Sequence, residues 1–259
     1  MSCHGIEILF LGTGTSQGVP VIACDCSVCK SENKFDKRLR SSILVRSDST
    51  TVIIDTGPDF RQQMLTYHVK TLDAVVFTHE HKDHIAGLDD IRAYNYVQRK
   101  NMPVYCTQWV EKAIRRDFFY AFAETKYPGV PEMEIIPIDE NTSFQIGDIP
   151  FHPIKVLHHH LPVLGFRIYD FVYITDANYI DNNEMLKLKD ARILVLNALR
   201  KQSHISHFNL EQALDIMKYI SPEQGYLTHI SHMMGLHNEV EKGLPSHIRL
   251  AHDGLRIRI

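Results

Sequence analysis

The octapeptide FTHEHKDH, residues 77–84, constrains this chain more than any other stretch. It follows the apolar run AVVF and gathers three histidines, a glutamate and an aspartate within six residues. His79 and His81 are two positions apart after a strand-like segment, so an extended backbone turns both rings to one side. Asp83 and His84 follow, where IAGLDDIRAY begins a helix. The spacing suits two ions, with His79 and His81 serving one and Asp83 and His84 the other. Imidazole combined with carboxylate fits Zn, Mn or Fe and not an oxygen-only calcium site. The competing reading of the stretch alone is a His-rich solvated loop. A metal centre demands further ligands downstream, at strand ends.

With 259 residues, 44% of them hydrophobic, the chain can bury a sizeable core as one large domain or two small ones. A formal net charge of −3 provides no basic field for long nucleic acid. No apolar run approaches the roughly 18 residues of a membrane span. The start, MSCHGIEILFLGTG, has neither a basic n-region nor an A-x-A-type cleavage site. A cytoplasmic protein is therefore expected. The cysteines number five, an odd count, and three crowd together, which in such a compartment points to metal rather than disulfides.

Strand-like runs rich in Val, Ile, Phe and Tyr lie at 7–12, 42–46, 51–55, 74–78, 103–106, 151–156, 165–169, 171–175, 193–197, 225–228 and 255–259. Helical patterns cover roughly 58–66, 88–99, 108–121 and 208–220. The last spaces Leu210, Ala213, Leu214 and Met217 on one face, with Asn209 as N-cap. The segment 122–148, rich in Pro, Gly and acids, reads as an excursion or lid. No fixed-period repeat or low-complexity tract stands out. Alternating strands and helices with hairpin-like pairs fit a layered α/β sandwich of one domain over 1–259.

The H-x-H-x-D-H pattern after a strand resembles the metallo-β-lactamase superfamily. That resemblance implies an αββα sandwich, two mixed sheets packed face to face with helices outside, and a dinuclear site at one edge. It also implies three more ligands, and the chain has a residue for each. His158 in KVLHHHLPVLGF follows a strand, Asp176 in YITDANYI could bridge two ions, and His229 in YLTHISH ends a later strand. Taken singly, Asp176 reads as a turn carboxylate and His229 as a loop histidine. His159 and His160 are left without a role. In IIDTGPDF, Asp55 matches an aspartate that buttresses a ligand imidazole in this superfamily, and a helix N-cap is its plainer role.

A second constellation is Cys24, Cys26 and Cys29 in ACDCSVC, a zinc-thiolate insert around 20–40. Three thiolates suggest structural zinc, which takes four ligands in a closed tetrahedron. His232, three residues after His229, is the candidate fourth. On an extended segment, positions three apart face opposite sides, so one histidine can reach each centre. A redox cluster or simple burial is the alternative. Cys3 and Cys106 read as ordinary thiols. This insert, together with LGTGTSQGVP, RLRSS, LTHISH and HDG, closely resembles the PhnP-type cyclic phosphodiesterases of phosphonate breakdown.

That resemblance implies hydrolysis of a small phosphodiester at two divalent ions, Zn or Mn, and a homodimer. Two such ions about 3.5–4 Å apart make hydroxide available at neutral pH and clamp both oxygens of an in-line displacement. His207, 22 residues before His229 as in the PhnP-like pattern, is the expected proton donor to the leaving alkoxide. His204 competes for that role. Asp83 is taken as catalytic as well as metal-binding. Lys37, Arg38 and Arg40 either reach a substrate phosphate or sit in solvent. Rival functions on the same ligands are a ribonuclease-Z-like enzyme, a thioesterase, a lactonase or a PqqB-like protein. A non-catalytic zinc-binding module is the rival of another class. Neither membrane nor nucleic acid is an expected partner.

Overall fold

The computed structural model describes residues 5–125 and 127–259; Cys3 lies outside them. Two sheets form. The first comprises β1 (Glu7–Gly12), β2 (Ser42–Arg46), β3 (Thr51–Ile54), β4 (Ala74–Val76), β5 (Met102–Cys106), β6 (Met133–Pro137) and, from the far end of the sequence, β15 (Arg256–Arg258). The second comprises β7 (Phe144–Ile146), β8 (Ile149–His158), β9 (Leu161–Ile168), β10 (Phe171–Ile174), β11 (Tyr179–Ile180), β12 (Ile193–Asn197), β13 (Gln224–Thr228) and β14 (Ile248–Leu250). The spatial orders are β15-β1-β2-β3-β4-β5-β6 and β11-β8-β9-β10-β12-β13-β14, with β7 paired to β8.

Each sheet is mixed in the same way. Antiparallel hairpins build one half (β1–β2–β3; β8–β9–β10). Parallel pairs extend the other (β3–β4–β5–β6; β10–β12–β13–β14). Parallel strands need crossovers, and the helices supply them on the outer faces. Phe60–Thr66, Arg92–Gln98 and Gln108–Asp117 flank the first sheet, and Leu210–Ile220 flanks the second.

Alternation along β1 shows why both faces are covered. Ile8 and Phe10 turn inward to meet Phe166 and Tyr173 of the second sheet, while Leu9 and Leu11 turn outward beneath the helices. All four are buried. A strand apolar on both faces can only lie between two layers. Fully burying one such side chain contributes about 1.5–3 kcal/mol. Three apolar layers result: helix on sheet, sheet on sheet, sheet on helix. This is the αββα sandwich.

The segment 122–148 is not an excursion. Met133–Pro137 is the parallel edge of the first sheet, and Phe144–Ile146 pairs with β8 around a turn at Gly147. Its Pro and acid content masked two short strands, one paired with the distant β5 and the other with the strand that directly follows it. β11 and β14, two and three residues long, were also too short to read. The helix anticipated over 88–99 begins as a 3-10 turn, Leu88–Ile91, before Arg92–Gln98. The helix anticipated over 208–220 starts at Leu210, where Asn209 and Gln212 form a capping box.

Candidate metal centre

The ligand residues sit where strands end on one edge of the sandwich. His79 and His81 follow β4, His158 closes β8, Asp176 follows β10 and His229 follows β13. His81 is the N-cap residue of a short helix, Lys82–Ile85, which carries Asp83 and His84. That turn is strapped by the loop after β3, where Thr56 N–H donates to the His84 carbonyl and Gly87 N–H to the Thr56 carbonyl, each at 2.8 Å. Gly57 permits the approach, because a Cβ there would stand 2.1 Å from the Asp83 carbonyl oxygen. Asp55, Asp176 and His229 all adopt left-handed backbone, with φ of 66°, 47° and 55°. Non-glycine residues rarely do so, and such strain concentrates at functional sites.

Two groups of four result. His79, His81, His158 and Asp176 form one; Asp83, His84, Asp176 and His229 form the other. In each, one donor atom per residue lies within 4.8 Å of all the others. Asp176 belongs to both. Its Oδ2 lies 3.7 Å from His79 Nε2 and 3.4 Å from His84 Nε2, and its Oδ1 lies 2.9 Å from His229 Nδ1.

The surrounding hydrogen bonds orient these rings. His84 Nδ1–H donates to Asp55 Oδ2 at 2.7 Å, which turns its Nε2 toward Asp83 and Asp176. Thr78 donates its hydroxyl to the same Asp55 oxygen at 2.8 Å and accepts from His79 Nδ1–H at 2.9 Å. One buried carboxylate thus fixes a ring in each group. His158 Nδ1–H donates to the Ser206 carbonyl at 2.7 Å, and Ser41 Oγ stands 3.2 Å from His229 Nδ1. The N-cap residue of Phe60–Thr66 is Asp59, and Asp55 spends its carboxylate on His84 and Thr78, so buttressing, not capping, is its role. Sequence reasoning missed Thr78, Ser41 and Ser206; the first two lie inside motifs it had quoted, and Ser206 acts through its backbone.

The electrostatics call for cations. Burial resists ionisation of Asp176, yet His229 and His84 hold its pKa well below the usual carboxylate range. Burial also disfavours charge on His84, but Asp176, Asp83 and Asp55 outweigh it and raise its pKa well above the usual value. His84 Nε2 and His229 Nε2 are buried without a hydrogen-bond partner. Buried nitrogens left unpaired beside converging carboxylates are what divalent ions satisfy, so the residues fit such ions.

The cysteine cluster fits equally well. Sγ of Cys24, Cys26 and Cys29 lies 3.3, 3.4 and 3.5 Å from His232 Nδ1. With Zn–S near 2.3 Å and Zn–N near 2.0–2.1 Å, tetrahedral ligands sit about 3.5 Å apart. The Cys29 N–H, backed by His232, lowers the Cys26 thiol to about 6, toward the thiolate a metal requires. The route to His232 differs from the one expected. The segment is not extended, because His229 is left-handed and His232 opens a 3-10 turn capped by Ser231.

His207 lies beside both ligand groups, with ring centroids 4.4 Å from His158 and 4.8 Å from His229. It precedes the cap Asn209 and caps nothing, and its Nδ1 is buried without a partner. Burial, followed by the neighbouring His229, pushes its pKa down to about 2. His204 is 5.3 Å from it. His159 and His160 are exposed at the β8–β9 hairpin, their rings 3.7 Å apart. Arg38 does neither thing expected of it. It is buried, donating to Thr13 Oγ1, the Ala251 carbonyl and His237 Nδ1, while Thr13 donates to Asp253 of the HDG stretch. Arg40 pairs with Asp59 at 3.0 Å. Cys106 is buried, its thiol pushed up to about 12 by that burial.

An αββα sandwich bearing two ligand quartets on one edge, joined through one aspartate, defines a metal-dependent hydrolase class. The chain belongs to the β-lactamase superfamily: the family model described as beta-lactamase superfamily domain matches residues 50–230. Within it the chain falls in the PhnP-like branch. It is 36% identical to a crystal structure described as a new diphosphatase from the PhnP family, with a TM-score of 0.92 over 98% of this chain and 97% of that one. A protein of Porphyromonas gingivalis (strain ATCC BAA-308 / W83) named octanoyltransferase is 40% identical over 252 residues, 96% of this chain and 51% of that protein. The chain therefore spans about half the length of that relative. Zn(2+)-bound PqqB from Methylobacterium extorquens shares the fold, at 17% identity and a TM-score of 0.80 over 98% of this chain and 100% of that one. Among the described residues no helix is long and apolar enough to cross a membrane.

Proposed function

We propose that this protein hydrolyses a small phosphodiester, cyclic or linear, at a centre holding two divalent ions, zinc or manganese, with a separate structural zinc on Cys24, Cys26, Cys29 and His232. The observation that carries it is the sharing of Asp176 between two complete ligand groups. When bound, such an ion pair makes hydroxide available at neutral pH and neutralises charge on a phosphate oxygen.

The chain's own residues do the rest. Hydrolysis adds water across a P–O bond: the water oxygen bonds to phosphorus, and the leaving oxygen keeps the bonding electrons and gains a proton. Asp83 stands at the lip of the centre, only partly buried, where it orients the attacking water and receives its proton. His207 delivers a proton to the leaving oxygen. Burial keeps its imidazole neutral in the free protein, and a phosphate anion drawn up to it favours the protonated form. Asp55 and Thr78 hold His84 and His79 in one tautomer throughout.

A second reading, an acyl ester or thioester substrate, is favoured by the 40% identity to a protein named octanoyltransferase. The test is a substrate panel on metal-replete protein: bis(p-nitrophenyl) phosphate, a cyclic nucleoside phosphate, ADP and an acyl thioester. Turnover of bis(p-nitrophenyl) phosphate or of the cyclic phosphate that chelation abolishes supports the proposal; turnover of ADP alone would place the cleavage at a phosphoanhydride instead. Thioester turnover with every phosphorus ester inert contradicts it.

A further inference from the structure

A cavity of about 210 Å³ is lined by His207, whose ring stands beside those of His158 and His229, and by His232 of the thiolate cluster. Sites for drug-sized ligands run to about 300–1,000 Å³, so this one takes a smaller group. One wall is the turn Thr15–Gly18, closed by the Gly18 N–H to Thr15 carbonyl bond at 2.8 Å, with Ser16 and Gln17 at its tip. The other wall is the loop after β12, carrying Arg200, His204 and His207. None of the described residues lining the cavity is acidic.

Arg200 is half-buried and has no carboxylate partner among the described residues. Its Nη2 donates to the Ser203 carbonyl at 2.8 Å, its Nε to the Gln202 carbonyl at 3.3 Å, and its Nη1 leans on Met233 Sδ at 3.6 Å. Of the five N–H groups a guanidinium offers, one on each terminal nitrogen remains free. Beside Arg200, Ser206 N–H donates to His204 Nδ1 at 3.3 Å, which leaves the proton on Nε2 and makes His204 a donor too.

We propose that Arg200 selects substrates whose leaving group is itself a phosphate, binding that second phosphate in the cavity with His204 beside it. The inference rests on the reading of the metal centre as one that hydrolyses P–O bonds, and extends it from phosphodiesters to the phosphoanhydride of a diphosphate. His207 faces the leaving oxygen, so whatever lies beyond that oxygen enters the cavity His207 lines. A rigid guanidinium fork with two free N–H groups matches two oxygens of a phosphate. An uncharged aryl or alkyl group would draw nothing from it.

The experiment compares wild type with Arg200→Ala and Arg200→Lys, all metal-replete and checked by thermal melting. Charged hydrogen bonds of this kind carry about 10- to 100-fold in affinity. The ratio of kcat/KM for ADP to kcat/KM for bis(p-nitrophenyl) phosphate should fall by that factor in Arg200→Ala, mainly through KM, with Arg200→Lys intermediate. Calorimetry with inorganic diphosphate should show a matching loss of affinity. A ratio and a diphosphate Kd both within about threefold of wild type would overturn the proposal. So would an equal loss of kcat on both substrates, which would make Arg200 only a strut for the His207 loop. If wild type cleaves no phosphorus ester, the phosphoester reading fails, while the diphosphate titration still decides whether Arg200 binds the anion.

Discussion

Asp55 and His84 meet at 2.7 Å with neither side chain exposed to solvent, and the same carboxylate reaches His79 through the Thr78 hydroxyl. One aspartate that is not in either ligand group therefore holds a ring in both. Asp55→Asn keeps the shape but offers a single acceptor oxygen where the carboxylate offers two. Such outer partners are worth about 10–100-fold in metal affinity. Zinc or manganese titration against a chromophoric chelator should show a loss of that size, with circular dichroism unchanged. Wild-type affinity would leave Asp55 a purely structural residue.

His207→Ala should retain its metals, because His207 belongs to neither ligand group. Turnover of a diester with an alkoxide leaving group should drop by roughly 10²–10⁴, the usual contribution of a positioned acid. An aryl leaving group needs little protonation, so bis(p-nitrophenyl) phosphate should reveal much less of the defect. Full turnover of the alkoxide substrate would remove His207 from the mechanism.

The thiolate cluster ties the loop over 20–30 to the turn after β13. A structural zinc in such a site can carry on the order of 10 kcal/mol of folding free energy. Cys26→Ser should therefore lower the unfolding midpoint by roughly 10 °C or more, since each kcal/mol shifts it about 2–4 °C in a chain this size. Differential scanning fluorimetry with and without added zinc checks this. A midpoint within a degree or two of wild type would argue for buried thiols with no metal.

Burial, with Arg38 beside it, lowers the His237 pKa to about 4. The unfolded chain titrates near 6.5. Unfolding then takes up a proton between those values, so this contribution to stability is complete above pH 6.5 and is lost as pH falls through about 4. Asp253 slopes the other way. Burial raises its pKa to about 6, so its contribution is complete below pH 4 and fades as pH rises through 6. Relative to wild type, His237→Gln should gain on the order of 1–3 kcal/mol on acidification from pH 7 to 4.5, read by urea unfolding. A pH-independent difference would contradict a buried neutral His237.

Much of the clustering of the candidate ligands could be read from the sequence because these residues follow apolar strands, and strand ends are where period and composition change together. The strands at 7–12, 42–46 and 193–197 are residue-for-residue those of the structure. What escaped was non-local. Met133–Pro137 becomes a strand only because β5 lies beside it. Arg38 looks like a solvated loop cation until Thr13 and Ala251, from opposite ends of the chain, close around it. The turn at His229 failed as an extended segment because left-handed backbone on a non-glycine residue leaves no mark in composition.

The most direct test of the shared Asp176 is metal analysis by mass spectrometry on wild type and Asp176→Asn, each assayed on bis(p-nitrophenyl) phosphate before and after chelation and zinc or manganese repletion. The account predicts that wild type loses turnover on chelation and regains it on repletion. It also predicts that Asp176→Asn loses metal from the histidine–aspartate centre, keeps it on the thiolates, and is inactive. Undiminished hydrolysis by metal-free wild type, or full metal content and turnover in Asp176→Asn, would contradict it.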